Sequence, residues 1–172
     1  MRNLARILLL FIGLLHVVAC KDKPVVSPQE VLYSGYNVNV LTPAGTFENL
    51  DNQETLAPPF NIANLEGGKD LDVLILSESL KNGKSLKVIP IGLLRLKGVG
   101  DNKEYVIAVP SEEKLNNLGI TSFGDLAVNH AVSKQIIESW CQNHSPLTNR
   151  TSTVWLSEQS AIEIISKKSA IE

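Results

Sequence analysis

Positive charge is missing from a long stretch of this sequence: between Lys23 and Lys69 there is no lysine or arginine. With a formal net charge of −2 over 172 residues, the chain has no basic face to neutralise a nucleic-acid backbone, so nucleic acid is not an expected partner. Cysteine is nearly absent too. Cys20 and Cys141 are the two in the chain, which excludes a disulfide framework and a cysteine-histidine zinc site. There is no Ser-His-Asp set and no glycine-rich phosphate loop, since Gly67-Gly68 is too short to cradle a phosphate and reads as a turn. Nor does any internal repeat divide the chain, and its length suits one domain with a single core.

What is present begins with an apolar leader. Arg2 and Arg6 precede a run from Ile7 to Val18, and Lys21, Asp22 and Lys23 end it short of the ~20 residues a membrane span needs. Val17-Val18-Ala19-Cys20 is similar to the cleavage box of bacterial lipoproteins. That resemblance implies a signal peptide over residues 1–19, a lipidated tether over 20–29 with lipid on Cys20, and a domain over 30–172. It also implies export and anchoring to the cell envelope, with the outer membrane of a Gram-negative bacterium as the expected address. Several acyl chains, each methylene worth about 0.8 kcal/mol in the bilayer, make such an anchor durable.

Within the domain, period-two alternation predicts strands over 31–42, 72–77, 86–97, 104–109 and 153–156, with turns at Pro43-Ala44-Gly45 and Lys81 to Lys84. Pro90 and Gly92 interrupt the longest of them and predict a bend, which suits the corner of a small barrel. Residues 46–70, rich in Asn, Pro, Gly and acids, read as irregular. Ser122 and Asp125 resemble a helix-capping box, and Leu126, Val128, Val132, Ile136, Ile137 and Trp140 read as one apolar stripe. Cys141 in the same helix reads as a buried small hydrophobe. Ser157 caps a terminal helix with Ala161, Ile164 and Ile165 as its stripe.

Several strings carry a wider resemblance. Asp72-Val-Leu-Ile, Pro90-Ile-Gly-Leu-Leu94, Val106-Ile-Ala-Val-Pro110, Ile120-Thr-Ser-Phe-Gly-Asp-Leu126 and Trp155-Leu-Ser-Glu-Gln-Ser-Ala161 follow one another as similar strings do in family I soluble inorganic pyrophosphatases. The resemblance covers about 100 residues from Lys69 onward. It implies an α+β fold, a small five-stranded OB-like β-barrel flanked by two helices. It also implies chemistry in which aspartates hold several Mg²⁺ ions and lysines, arginines and tyrosines clamp pyrophosphate. Family members commonly form dimers or hexamers, so a homo-oligomer is an expected partner beside pyrophosphate and the membrane.

The site residues of that family are poorly represented. With Asp72 aligned on the third aspartate of the D-x-D-P-x-D motif, Gly67 and Lys69 fall on the first two and Asp70 on the proline. In the second acidic loop the two aspartates and the phosphate-binding lysine become Gly98, Lys103 and Tyr105. The family's Tyr-Lys pair falls near Asn143 and His144, the latter expected in a solvated loop, and the lysine-free front half has no phosphate clamp. Two readings follow. One is a degenerate, non-catalytic member acting as a binding or structural module. The other is a Mg²⁺-dependent diphosphatase with a rebuilt site, in which Asp72, Asp101 and Lys103 are the candidate catalytic residues and Glu66, Asp70, Asp72 and Glu104 the candidate metal ligands.

Overall fold

A computed structural model describes residues 35–46, 49–50, 53–54, 58–67, 71–98, 102–144 and 150–169. Cys20 and its leader, Lys69, Asp70 and Asp101 lie outside the described residues. Five strands close a ring: β1 (Tyr36–Thr42), β4 (Asn61–Leu65), β5 (Asp72–Ile75), β7 (Asn102–Pro110) and β6 (Ser85–Gly98). Closure comes from β1, which pairs antiparallel with β4 on one side and with Ser85 to Val88 of β6 on the other. A two-stranded ladder of β2 (Asn49–Leu50) and β3 (Gln53–Glu54) stands apart from this sheet. The family-like barrel is therefore the observed architecture, but its membership differs from the sequence reading. The stretch read as irregular contributes β4, while the last strand, β8 (Arg150–Leu156), adds to β6 as a sixth strand beyond the ring.

β6 serves three partners because it bends. Its register against β7 shifts between Pro90 and Gly92, as the proline and glycine predict, so its first half faces β1 and its second half β8. Gly92 is packed closely there: a Cβ on it would lie 3.2 Å from the Leu156 carbonyl oxygen and 3.2 Å from the Phe123 ring. The residue is small because two neighbours occupy the space.

The alternation of strands sorts the apolar residues into two layers. One, including Val38, Val40, Ala63, Val73, Leu93 and Val106, fills the ring and takes up Ala161 and Ile165 of the terminal helix α3 (Glu158–Ser169). The other, including Leu74, Leu94, Leu96, Tyr105 and Ile107, lies on the opposite sheet face, under α1 (Phe123–Val128) and α2 (Ala131–His144). Cys141 is fully buried in this second layer, as its setting in the sequence implied.

The helical stripe read from sequence divides into two faces. Asn129 ends α1, and α2 restarts at Ala131. Leu126 of α1 is buried, as are Ile137 and Cys141, one turn apart on α2, and all three pack in the layer against the sheet. Val128 of α1, and Val132 and Ile136 one turn apart on α2, instead turn outward and are 79%, 69% and 47% exposed. Positions 126 and 128 lie about 200° apart around a helix, so merging them into one stripe joined two faces.

Candidate functional site

β5 and β7 run parallel, and their register sets Asp72 beside Tyr105. Register partners in neighbouring strands project from the same sheet face, and residues one apart project from opposite faces. Asp72, Tyr105 and Lys103 therefore share the face that carries α1 and α2, whereas Glu104 projects from the other. The contacts agree with this geometry. Lys103 Nζ lies 2.7 Å from Asp72 Oδ2 and 5.5 Å from the centre of the Tyr105 ring. On the opposite face, Arg95 Nε and Nη2 converge on Glu104 Oε1 at 2.8 and 2.7 Å.

This arrangement separates the candidate ligands. Asp72 and Glu104 cannot share one ion, because the sheet stands between them. Glu66 follows β4 in a turn and lines a different place, an open cleft of about 390 Å³ shared with Tyr36, Asn37, Lys87 and Ser169. Gly67, aligned on an aspartate of the family motif, has φ 75° and forms that turn. Asn143 and His144 are the last residues of α2, in place of the loop expected from sequence, and the Asn143 amide donates to the Ser139 carbonyl at 2.9 Å.

Mg²⁺ takes six oxygen ligands in near-octahedral geometry, with ion–oxygen distances of about 2.1 Å. Among the described residues, no three His, Cys, Asp or Glu side chains converge on a point that could hold a metal. Of the candidate ligands, Asp72 and Glu104 are each engaged by a cation of the chain itself. The described side chains thus do not fit the acidic cage that a Mg²⁺ cluster requires.

A second polar cluster escaped the sequence reading. Glu138 of α2 accepts hydrogen bonds from the Thr153 hydroxyl and from Trp155 Nε1 of β8, the latter at 3.2 Å. Trp155 stacks on Phe123 with ring centres 5.8 Å apart, and Lys134 Nζ lies 4.7 Å from the Trp155 ring centre. The group fastens the helical layer to the added strand. A signal existed in the four-residue spacing of Lys134 and Glu138, which sets both on one face of α2.

Comparison with known proteins bears on the same elements. The inorganic pyrophosphatase family model matches residues 44–171. No curated protein matches the chain. Among solved structures, an inorganic pyrophosphatase from Neisseria gonorrhoeae superimposes with a TM-score of 0.64 at 21% identity, covering 85% of this chain and 95% of that one. An inorganic pyrophosphatase from Helicobacter pylori gives 0.59 at 18% identity, with 80% and 92% covered. A type I enzyme from P. falciparum gives 0.65 at 14% identity, with 78% and 57% covered. At such identities the likeness is one of fold.

Proposed function

The chain belongs to the inorganic pyrophosphatase family, and from that premise we propose that it is a non-catalytic member, a binding or structural module held at the cell envelope by lipid on Cys20. The observation that carries the reading is the Lys103–Asp72 ion pair at 2.7 Å. Pyrophosphate hydrolysis in this family calls for metal ions gathered by several carboxylates, and here the aligned carboxylate faces an ammonium group. The departures at Gly67, Lys69, Gly98, Lys103 and Tyr105 support the same conclusion. Losing a single transition-state contact commonly costs about 10² to 10³ in rate, and several are replaced together. The lipid anchor is supported by the leader sequence, with its basic start, short apolar run and small residues before Cys20.

The test is phosphate release from pyrophosphate with Mg²⁺ or Mn²⁺, on the wild-type chain and on Asp72→Ala. The expected result is no metal-dependent release from either. Release by the wild type that Asp72→Ala abolishes would overturn the reading in favour of a hydrolase with a rebuilt site. Incorporation of labelled lipid at Cys20, lost in Cys20→Ala, tests the anchor separately.

A further inference from the structure

We infer that Lys103 is the built-in counter-ion of Asp72, and that this one side chain excludes divalent metal from Asp72 on the face that carries α1 and α2. The inference rests on the non-catalytic reading and goes further by naming the residue that closes the site to metal. Its first support is distance. A divalent ion on Asp72 Oδ2 would sit about 2.1 Å from that oxygen, and the Lys103 ammonium already stands 2.7 Å from it. Both cannot occupy the same approach.

The second support is how the ammonium is held. Lys103 and Tyr105 project from the same face of β7, and the ring lies within cation–π distance of Nζ, while Asp72 is fixed opposite Tyr105 by the strand register. The lysine therefore has two attractive partners on one rigid ladder. The third support is the other face of β7, where Arg95 holds Glu104 with two donors. Asp72 and Glu104, the described carboxylates on the two faces of this ladder, each have their own cation. A pair that is 28% and 36% exposed contributes little to stability. Its consequence is occupancy: it spends the negative charge that a metal would otherwise find.

The experiment uses the full chain and Mn²⁺ as the probe, with binding read by electron paramagnetic resonance of the free ion and folding checked by circular dichroism. Lys103→Gln removes the ammonium, and Lys103→Asp also adds a carboxylate beside Asp72. The expected result is no Asp72-dependent binding in the wild type, measurable binding in Lys103→Gln, and affinity about tenfold higher again in Lys103→Asp. In each case the gain should vanish when Asp72→Asn is added. Asp72-dependent Mn²⁺ binding by the wild type overturns the inference, as does the absence of any gain in both folded Lys103 variants. Phosphate release is a separate readout: its appearance in the wild type counts against the non-catalytic reading, whether or not Lys103 controls metal.

Discussion

Asn61 is a fully buried polar residue, and its amide shows how this barrel ties its loops to its wall. The oxygen accepts from the backbone N–H groups of Ala44 and Leu80 at 3.0 and 2.8 Å. The nitrogen donates to the Ser77 hydroxyl and the Glu78 carbonyl at 3.1 and 3.0 Å. Replacing it by alanine leaves the buried Leu80 N–H without this partner, at a cost of about 1–3 kcal/mol, and also removes the partner of the part-buried Ala44 N–H. Asn61→Ala should therefore lose about 3 kcal/mol in urea denaturation, an outcome checked by the shift in midpoint at unchanged slope. Gly92 gives the opposite kind of sensitivity. Gly92→Ala has to displace the Leu156 backbone or the Phe123 ring, and overpacking of this sort costs about 1–3 kcal/mol. A lowered melting temperature is the expected result, while Gly45→Ala, with open space around its Cβ position, strains only its backbone at φ 75°. At this scale Asn61 also explains a misreading. It holds an inward position of β4, where the pattern is Asn61, Ala63, Leu65, and an asparagine at the head of a strand looks like loop.

Among the elements, α1 was legible down to its cap. Ser122 Oγ accepts from the Asp125 backbone N–H at 3.1 Å, and Asp125 Oδ2 accepts from the Thr121 N–H at 3.1 Å. The Asn129 side chain donates to Asp125 Oδ1 at 2.7 Å. These hydrogen bonds, the Asn129 one foremost, hold the Asp125 carboxyl below its usual value of 3.8. A carboxyl lowered on folding adds stability that is complete above its unfolded value and disappears as pH falls through the folded one. Thermal melts between pH 5 and pH 2.5 should show the wild type losing more stability than Asp125→Asn, with the difference confined to the acid end. Ser122→Ala should cost about 1 kcal/mol at neutral pH, measured the same way. The α1–α2 boundary was less legible, since Asn129 and His130 carry no proline or glycine to announce a break. Without that break in view, the outward residues Val128, Val132 and Ile136 read as core.

For the whole molecule, the strings around Pro90 and Val106 made the barrel readable, because they encode the bulged strand β6 and its antiparallel ring neighbour β7, while the string at Trp155 marks the strand added beyond the ring. The site was legible only in part. Lys103 and Glu104 could be set on opposite faces of one strand by parity alone. That Asp72 stands beside Tyr105 follows from a parallel pairing between strands distant in sequence, which no local pattern states. If internal cations balance these carboxylates, the stability of the fold does not depend on metal. The melting temperature should then move by no more than about 1 °C in excess Mg²⁺ or in EDTA, since a ligand stabilises only in proportion to its binding. A larger, Asp72-dependent rise with Mg²⁺ would contradict that balance.

The closure of the ring by β1 also orders events in time. Tyr36 pairs with Val88, so β1, the first of the described strands to be synthesised, gains its second neighbour only after the β6 segment has been made. The β6–β7 hairpin is local and can form as it emerges, whereas sealing β1 against β6 must close a long loop and belongs to the late, slower phase of folding. Until then the nascent chain carries an unsatisfied strand edge. A factor that covers that edge during synthesis would raise the yield of folded protein without altering its final stability.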